Sequence, residues 1–526
     1  MAAAESSKDI LARAAQAFQA GDFPTAVDLL TPAASAHPED ADLAAALAYG
    51  LSRVGSLTLA AEQFERAIAL RPKDTALLRD AGAVHLRNGH LDTALERFRA
   101  AYRQSNNDLS LLGSIVEVLL RLQRGSEALT LVDGTLALAP RAAALHYMQG
   151  VVLGGLGRQQ EERQAYENAI KLDPRLVDAH TNLGVLARDQ HRFDDALRHF
   201  KHALAIDSEH AGARTNRAQT NLLLGQFTHG WRDYEWRWRD GRQAMPYAGS
   251  PWLGEGKLTG QTLLVHAEQG LGDTIQFSRY VPALIPLAGK VILRVQASLA
   301  ALLRANLTGV TVIGDDEQTP AFDRHVPLLS LPLALSKQRV EPWPLGQPLR
   351  ADEALKKEWA ALLPTHSAGS MPRIGLAWSG NAAHPDDRNR SIAFAELAPL
   401  LQAPCEFVCV QKDIRPADLA AIAQWRSVAG HENLHVPNDA LRDFSESAAL
   451  MANLDRVITV DTASAHLAGA LGIPTDLLLP AMPDWRWQLN RTDTPWYPSV
   501  TLHRKAAGDT WAKVLQGLRE RLQTAG

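Results

Sequence analysis

Two short stretches of the chain carry residues that could bind and activate a polar substrate. One has glycines with a carboxylate, and the other has a carboxylate with hydroxyl residues. The first is EQGLGD at 268–273, and the second is VDTASAH at 460–466. Glycines permit a tight turn and the close approach of another molecule, so Gly270 and Gly272 are predicted to lie against a ligand. Asp273 is predicted to be either the N-cap of the following helix or a catalytic carboxylate.

The second stretch predicts an anion site at the start of a helix. Thr462, Ala463 and Ser464 would supply first-turn N–H groups and hydroxyls, which together with the helix dipole suit a diphosphate. Asp461 is itself an anion and would instead accept hydrogen bonds from sugar hydroxyls. The alternative is a helix cap without a ligand. His466 is predicted to be a second candidate base, a contact of the donor phosphate or a core histidine.

A third pattern, WSGN followed by two arginines, comes directly after another predicted strand. Arginine recognises diphosphates through paired hydrogen bonds, whereas the alternative here is a solvated charge run. The residues predicted to bind a donor from this region are Trp378, Ser379, Gly380, Asn381, Arg388 and Arg390. Gln411 ends the next strand and is predicted to touch a nucleotide. Trp485 and Trp487 either line the same cleft or pack structurally.

Composition excludes several other classes of protein. Hydrophobic residues make up 46% and charged residues 21% of the 526 residues, as in ordinary globular chains. Lys and Arg number 54 against 58 Asp and Glu, and a net charge of −4 predicts neither nucleic-acid nor membrane-surface binding. Cys405 and Cys409 are predicted to be structural, because residues four apart on a strand lie about 13 Å from each other.

Metal ligands and membrane-directed segments are not expected. Residues 261–526 contain no DxD motif, and the sequence has no His/Cys cluster with ligand spacing, which predicts chemistry without a metal or another cofactor. No apolar run reaches the about 18 to 20 residues that a membrane span needs. The first ten residues lack the basic and apolar pattern of a secretory signal, so we expect a cytoplasmic protein.

A 34-residue period organises the first half of the chain. A mostly small residue recurs at Ala26, Ala60, Ala94, Ala128, Glu162 and Ala196, and a bulky one at Leu30, Phe64, Phe98, Val132, Tyr166 and Phe200. Small residues let two helices approach, bulky ones fill the gap, and Pro38, Pro72, Pro140 and Pro174 close the second helix. The pattern resembles the tetratricopeptide repeat, with six full repeats over about 7–210 and a partial, capping seventh within 1–240.

The repeats predict a superhelix whose concave groove holds a protein. Asn182 and Asn216 occupy equivalent positions on helices that would face the groove. Amide side chains can bond an extended peptide backbone without reading its sequence, so the two are predicted to contact an acceptor. Since only these two of seven equivalent positions carry Asn, ordinary polar surface is the alternative.

The second half predicts an α/β fold of two Rossmann-like lobes. After the repeats, the aromatic segment 231–252 is predicted to cap the last repeat, with base or sugar stacking as the alternative, and 241–260 is a linker. Alternating strands and helices then predict parallel sheets in the lobes 261–364 and 365–526. Strands are predicted at 262–266, 290–295, 310–313, 373–378, 406–410, 455–460 and 476–479. The ends of such strands place a site in the cleft between the lobes.

The stretch ending in GLGD at 270–273 and the stretch VDTASAHLAGALGIP at 460–474 resemble the two signatures of the heptosyltransferase-like glycosyltransferases, over about 260–526. That resemblance implies the two-lobed GT-B fold, a nucleotide-sugar donor and no metal. It implies that Asp273, on the acceptor-side first lobe, is the general base. It also implies that the donor binds the second lobe through Asp461, Thr462, Ala463, Ser464 and His466, although the family usually has glycine at position 463.

Repeats followed by a GT-B half are similar in architecture to the O-linked N-acetylglucosamine transferases and to bacterial flagellin glycosyltransferases. The analogy implies sugar transfer to a hydroxyl of a protein acceptor, with flagellin as one candidate. Two alternatives stay open. One is a heptosyltransferase-like enzyme acting on a glycan or lipid-linked acceptor, and the other is a non-catalytic repeat scaffold with a degenerate transferase half.

Overall fold

The chain divides into two compact units. The computed structural model describes residues 6–105, 108–239, 241, 244–343, 346–364, 371–384, 386–428 and 432–524. The first unit comprises the residues up to Ala187 together with Arg198–Ser208. The second comprises Arg188–Leu197 and everything from Glu209 onward.

Helices of 13 or 14 residues, with one final helix of 8, make up the repeat region. Asp40, Asp74 and Asp108, spaced by the repeat period, cap three of them by accepting hydrogen bonds from first-turn N–H groups. The helices are α1 (Ser7–Gln19), α2 (Phe23–Ala36), α3 (Ala41–Val54), α4 (Leu57–Leu70), α5 (Thr75–Arg87), α6 (Leu91–Gln104), α7 (Leu109–Arg121), α8 (Gly125–Leu138), α9 (Ala143–Gly155), α10 (Gln159–Leu172), α11 (Val177–Asp189), α12 (Phe193–Ile206), α13 (Ala211–Leu223) and α14 (Phe227–Tyr234).

Glycine–aromatic pairs bring the two helices of several hairpins close together. A methyl group added at Gly82 would overlap the ring of Phe98, and one added at Gly150 would overlap the ring of Tyr166. Both aromatic side chains are buried. Because each glycine lies 16 residues before its aromatic partner, the same close approach recurs at the repeat period. The predicted helical repeat array is confirmed.

The first sheet of the second unit has four parallel strands in the order β3-β2-β1-β4. They are β1 (Thr262–His266), β2 (Lys290–Val295), β3 (Thr311–Gly314) and β4 (Arg324–Pro327), with Leu264 of β1 opposite Ile292 of β2. The helices of this lobe are α15 (Leu271–Phe277), α16 (Ala297–Asn306), α17 (Leu331–Ala334) and α18 (Glu353–Leu362).

The second sheet has six parallel strands in the order β10-β9-β8-β5-β6-β7. They are β5 (Arg373–Ala377), β6 (Glu406–Cys409), β7 (Leu434–His435), β8 (Arg456–Val460), β9 (Thr475–Leu479) and β10 (Val500–Arg504). Its helices are α19 (Asp387–Arg390), α20 (Phe394–Leu397), α21 (Pro416–Arg426), α22 (Phe444–Met451), α23 (Ala463–Leu471) and α24 (Ala512–Thr524). Cys405 and Cys409 are buried and unpaired.

Parallel sheets with interleaved helices confirm the predicted α/β class for the second half. The seven predicted strands are present to within one residue at each end. Three further strands, β4, β7 and β10, were not predicted. The GT-B assignment and the boundaries 1–240, 241–260, 261–364 and 365–526 stay predictions. Across the described ranges, no helix has both the length and the apolar character needed to cross a bilayer.

Candidate functional site

The loop between β1 and α15 carries Asp273 in the third position of the helix rather than at its cap. Gly270 is the N-cap, and its backbone N–H donates to Oδ2 of Asp273 at 2.8 Å. The alternative that Asp273 is itself the N-cap is therefore wrong, because the helix begins at Leu271 and Asp273 is its third residue. Its other oxygen, Oδ1, accepts a hydrogen bond from the guanidinium of Arg486.

The loop between β8 and α23 meets this first loop at a glycine. A methyl group built on Gly272 would lie 2.6 Å from Cδ2 of His466 and 3.4 Å from Cα of Ala463. Only glycine therefore allows α15 to approach the start of α23 this closely. The structure thus brings the EQGLGD and VDTASAH stretches together within the second unit.

The start of α23 keeps its first-turn N–H groups free of any side-chain cap among the described residues. Thr462 is the N-cap in an extended conformation, and its hydroxyl makes no cap hydrogen bond. Ser464 lies within the first turn and is partly exposed. This helix does not have the capping box of the alternative interpretation. Its first-turn N–H groups can donate hydrogen bonds to an anion.

Arg486 joins the two lobes in a way that the sequence interpretation missed. Its Nε donates to Oε1 of Gln276 at 2.9 Å, its Nη1 donates to Oδ1 of Asp484 at 2.8 Å, and its Nη2 donates to Asp273. The only signal in the sequence was its place between Trp485 and Trp487, two residues already singled out. Asp484 and Gln276 carried no signal.

Burial shifts the pKa values of three titratable groups at this junction. It raises the pKa of Asp273, while the positive charge of Arg486 opposes that rise. Burial, together with the carboxylate of Asp484, raises the pKa of Asp461 to about 7 against the opposition of Arg390 and Arg486. Burial also lowers the pKa of His466 well below 6.5. The pKa values of Asp273 and Asp461 are thus both raised, and the positive charge of Arg486 opposes the rise in each.

His466 packs inside the second lobe. Its Nδ1 lies 3.0 Å from the hydroxyl of Tyr497, and its ring stacks on Trp487 with centroids 5.2 Å apart. Trp485 and Trp487 are both buried, which agrees with the packing alternative for these two side chains. The core role is the one of the three predicted for His466 that these contacts support.

The loop after β5 divides the predicted donor contacts into two groups. Arg390 reaches the site, because its Nη1 donates to the backbone oxygen of Asp461 at 3.1 Å and its guanidinium lies against Gly380. Arg388 and Asn381 are exposed, and Oδ1 of Asn381 accepts from the N–H of Ala383 at 2.9 Å within its own turn.

Gln411 and Trp378 brace this loop from inside. Oε1 of Gln411 accepts from the backbone N–H groups of Trp378 at 2.9 Å and Ser379 at 3.3 Å, while its Nε2 donates to Oγ of Ser379 at 3.2 Å. The indole of Trp378 is fully buried and donates to Asp418 at 3.0 Å. In this conformation the Trp378 side chain has no exposed atoms with which to make its predicted donor contact.

Several buried donors at the junction have no hydrogen-bond partner among the described residues, among them Nε2 of Gln276 and Nε of Arg390. Buried donors in folded proteins are nearly always hydrogen-bonded, so a polar ligand or water here could satisfy them. In the part of the chain that the structure describes, no group of three or more His, Cys, Asp or Glu side chains could hold a metal ion.

The two predicted acceptor contacts, Asn182 and Asn216, belong to different units and differ in their surroundings. Nδ2 of Asn182 donates to the hydroxyl of Tyr166 at 3.1 Å. Asn216 donates to the backbone oxygen of Gly212 at 2.9 Å and accepts from Arg188 at 3.2 Å. Their contact with an acceptor stays a prediction.

Comparison with known proteins identifies the repeats. Models of the tetratricopeptide repeat match residues 45–108, 115–176 and 177–210. Protein FlbA of Caulobacter vibrioides is 28% identical over 309 residues, which cover 54% of this chain and 50% of FlbA. The chain thus spans about half the length of that curated relative.

Solved repeat structures are similar to part of the chain. A tetratricopeptide repeat protein from Parabacteroides merdae is 15% identical with a TM-score of 0.39, covering 44% of this chain and 93% of its own. YrrB, described as a TPR protein with an unusual peptide-binding site, is 24% identical with a TM-score of 0.26, covering 35% of this chain and 95% of its own. From the matched family models, the repeats of the first half are tetratricopeptide repeats, which typically bind protein partners.

Proposed function

We propose that this chain is a GT-B glycosyltransferase that moves a sugar from a nucleotide-sugar donor to a hydroxyl of a protein recruited by its tetratricopeptide repeats. The observation that carries the proposal is the contact of Gly272 with His466 and Ala463. That contact brings a candidate base, Asp273, to the same place as a candidate anion site at the start of α23. The resemblance of both loops to heptosyltransferase-like enzymes agrees with this pairing.

Asp273 is the proposed general base. In the reaction it takes the proton of the acceptor hydroxyl, the freed oxygen bonds to the anomeric carbon, and the bond from that carbon to the diphosphate breaks. Burial raises its pKa toward the range where a carboxylate accepts a proton efficiently. Arg486 contacts Oδ1 and the Gly270 N–H contacts Oδ2, so both oxygens are oriented. His466 is the second candidate base.

The leaving diphosphate is proposed to bind the start of α23. The N–H groups there have no side-chain cap, and the hydroxyls of Thr462 and Ser464 add further donors. Arg390 is close enough to Asp461 to contribute its guanidinium to the same anion. These groups would stabilise the charge that develops as the sugar leaves. Asp461, with a pKa of about 7, is proposed to hydrogen-bond the sugar hydroxyls.

Calorimetry of the full chain with UDP, GDP, CDP and ADP tests the donor site. We expect one nucleotide to bind in excess EDTA, and Asp461→Ala to weaken binding of the matching nucleotide sugar. Asp493→Ala is the matched control, because Asp493 is exposed and pairs with Arg491 in its own loop. Absence of binding to all four nucleotides would support the scaffold alternative, and binding that requires a divalent cation would contradict a metal-independent transferase.

Recruitment by the repeats is tested by shortening the chain. A chain that begins at Glu209 lacks the six full repeats, with Asn182, and retains the second unit from Glu209 onward. We expect it to hydrolyse the nucleotide sugar slowly at the rate of the full chain but to lose transfer to protein. Mass spectrometry of cell protein with and without the full chain identifies the acceptor. Equal transfer by the shortened chain, or a sugar found only on glycans or lipids, would reject recruitment.

A further inference from the structure

Arg237, in the 3₁₀ turn that follows α14, has an acceptor for each of its five N–H donors. Nε donates to Oε2 of Glu268 at 2.7 Å, and Nη2 donates to Oε1 of Glu268 and Oγ of Ser330, each at 2.8 Å. Nη1 donates to Oε1 of Glu235 and to the backbone oxygen of Tyr234, each at 2.9 Å. These side chains, Arg237, Glu235, Glu268 and Ser330, form what we call the Arg237 network.

The Arg237 network is buried. The Arg237 side chain is 7% exposed and that of Glu268 is 0% exposed. Burying a paired charge costs several kcal/mol of desolvation per ion, and apolar residues of the same volume often stabilise a fold equally well. Packing alone therefore does not account for a fully hydrogen-bonded arginine here. Its partner Glu268 offers a reason, since it lies in the loop between β1 and α15, five residues before Asp273.

A second contact, from Tyr234 at the end of α14, reaches the next residue of that loop. Nε2 of Gln269 donates to the hydroxyl of Tyr234 at 3.3 Å. Glu268 is also held from the other side, because the backbone N–H of Leu329 donates to its Oε1 at 2.9 Å. Glu268 and Gln269 are thus held by α14 and the turn after it, which belong to the last repeat hairpin by sequence.

The same helix also supports the partner of Asp273. Trp231 of α14 packs against Trp485 with ring centroids 5.5 Å apart. The guanidinium of Arg486 lies 4.2 Å from the Trp485 ring centroid. The helix α14 therefore contacts the loop before Asp273 and also contacts Trp485, the neighbour of Arg486.

We propose that the last repeat hairpin is part of the catalytic architecture and that Arg237 is a positioning residue, which acts through Glu268 on the place of Asp273. The catalytic consequence rests on the proposed function, whereas the positioning itself does not. A carboxylate displaced by about 1 Å can cost about a hundredfold in rate, so the loop has little tolerance.

Hydrogen exchange on the full chain tests the positioning directly. In Arg237→Met, we expect the amides of 268–274 to exchange at least several times faster than in the natural chain. Arg239→Ala is the matched control, because Arg239 lies two residues away, is exposed and pairs with Glu209. It should leave exchange in this segment unchanged. Unchanged exchange in Arg237→Met would overturn the proposal.

Kinetics on the same variants separate this inference from the proposed function. Arg237→Met should lower kcat about tenfold to a hundredfold, while the Kd of the nucleoside diphosphate stays within twofold, because the diphosphate is proposed to bind the other loop. Faster exchange without a fall in kcat would mean that Arg237 positions a loop that is not catalytic, which contradicts the proposed function alone.

Arg237→Lys keeps the charge but loses the paired geometry, and it replaces the methionine variant if that one does not fold. It should show the same changes at smaller size. Exchange and kcat both equal to those of the natural chain in Arg237→Lys would overturn the positioning role.

Discussion

Two ion pairs, one from each unit, differ in how far they are exposed. In the first unit the pair Arg71–Asp42 leaves 47% and 57% of the two side chains exposed. In the second unit, Arg486 and Asp273 are 8% and 18% exposed. Exposed pairs contribute little to stability, whereas a buried charge must be paired to be tolerated. The difference teaches that the repeats derive their stability from packing, while the junction of the two sheets retains costly charges for another reason.

Removing one guanidinium from each unit tests this comparison with the largest expected effect. Arg486→Met leaves Asp273, whose side chain is 18% exposed, without its guanidinium partner, so the second unit should lose about 3 to 5 kcal/mol of its free energy of unfolding. Arg71→Met, the matched variant, should leave the first unit unchanged within the error of urea unfolding. Equal losses in the two variants would remove the distinction between the units.

Glycine substitutions test the claim that the repeats depend on packing. Gly150→Ala places a methyl group in the ring of Tyr166 and should cost about 1 to 3 kcal/mol. Gly134→Ala, in the exposed face of α8 with no atom within 4 Å, should stabilise by about 0.5 to 1 kcal/mol, because alanine favours the helix. Thermal unfolding of both variants measures the difference. A neutral Gly150→Ala would show that the helices separate freely at this point.

The pH dependence of stability tests the second half of the comparison, the charged groups at the junction of the two sheets. Since the pKa of Asp461 rises from 3.8 to about 7, the folded state holds a proton that the unfolded state has already released over that range. Its contribution to stability is therefore fully present below about pH 4 and is lost as the pH rises through about 7. Asp461→Asn should be more stable than the natural chain by about 1 to 3 kcal/mol at pH 8.

The advantage of Asp461→Asn should shrink as the pH falls to 5 and then toward 4. Urea unfolding at pH 8 and pH 5 measures the trend. A difference that is constant with pH would show that Asp461 titrates normally in the folded chain.

The repeats could be read from sequence because their structure is local. A period of 34 residues places Gly82 and Phe98 on adjacent helices, and no contact beyond the hairpin is needed to predict their packing. The strands were predicted for a related reason, since β1 and β8 are short buried runs followed by glycine or a helix start. The unpredicted strands β4 (RHVP), β7 (LH) and β10 (VTLHR) lack such a continuous apolar run.

The residues that the sequence could not reveal act over long separations. Arg486 lies 213 positions from Asp273, and the sequence offers no periodicity that joins them. Arg237 pairs with Glu268 across a linker, and sequence register assigned it to the repeats rather than to the second unit. Trp378 and Gln411 stand at strand ends as expected, but whether such a side chain faces a ligand or the core depends on neighbours such as Asp418.

Asp273→Asn tests the central claim most directly. The amide keeps the size of the side chain but cannot take a proton, so turnover of the nucleotide sugar should fall by about a hundredfold to ten-thousandfold. The Kd of the nucleoside diphosphate should stay within twofold. Asp484→Asn, which removes the other carboxylate bound to Arg486, should retain most of the turnover. The account predicts this separation of kcat from Kd, and normal turnover in Asp273→Asn would contradict it and move the search for the base to His466.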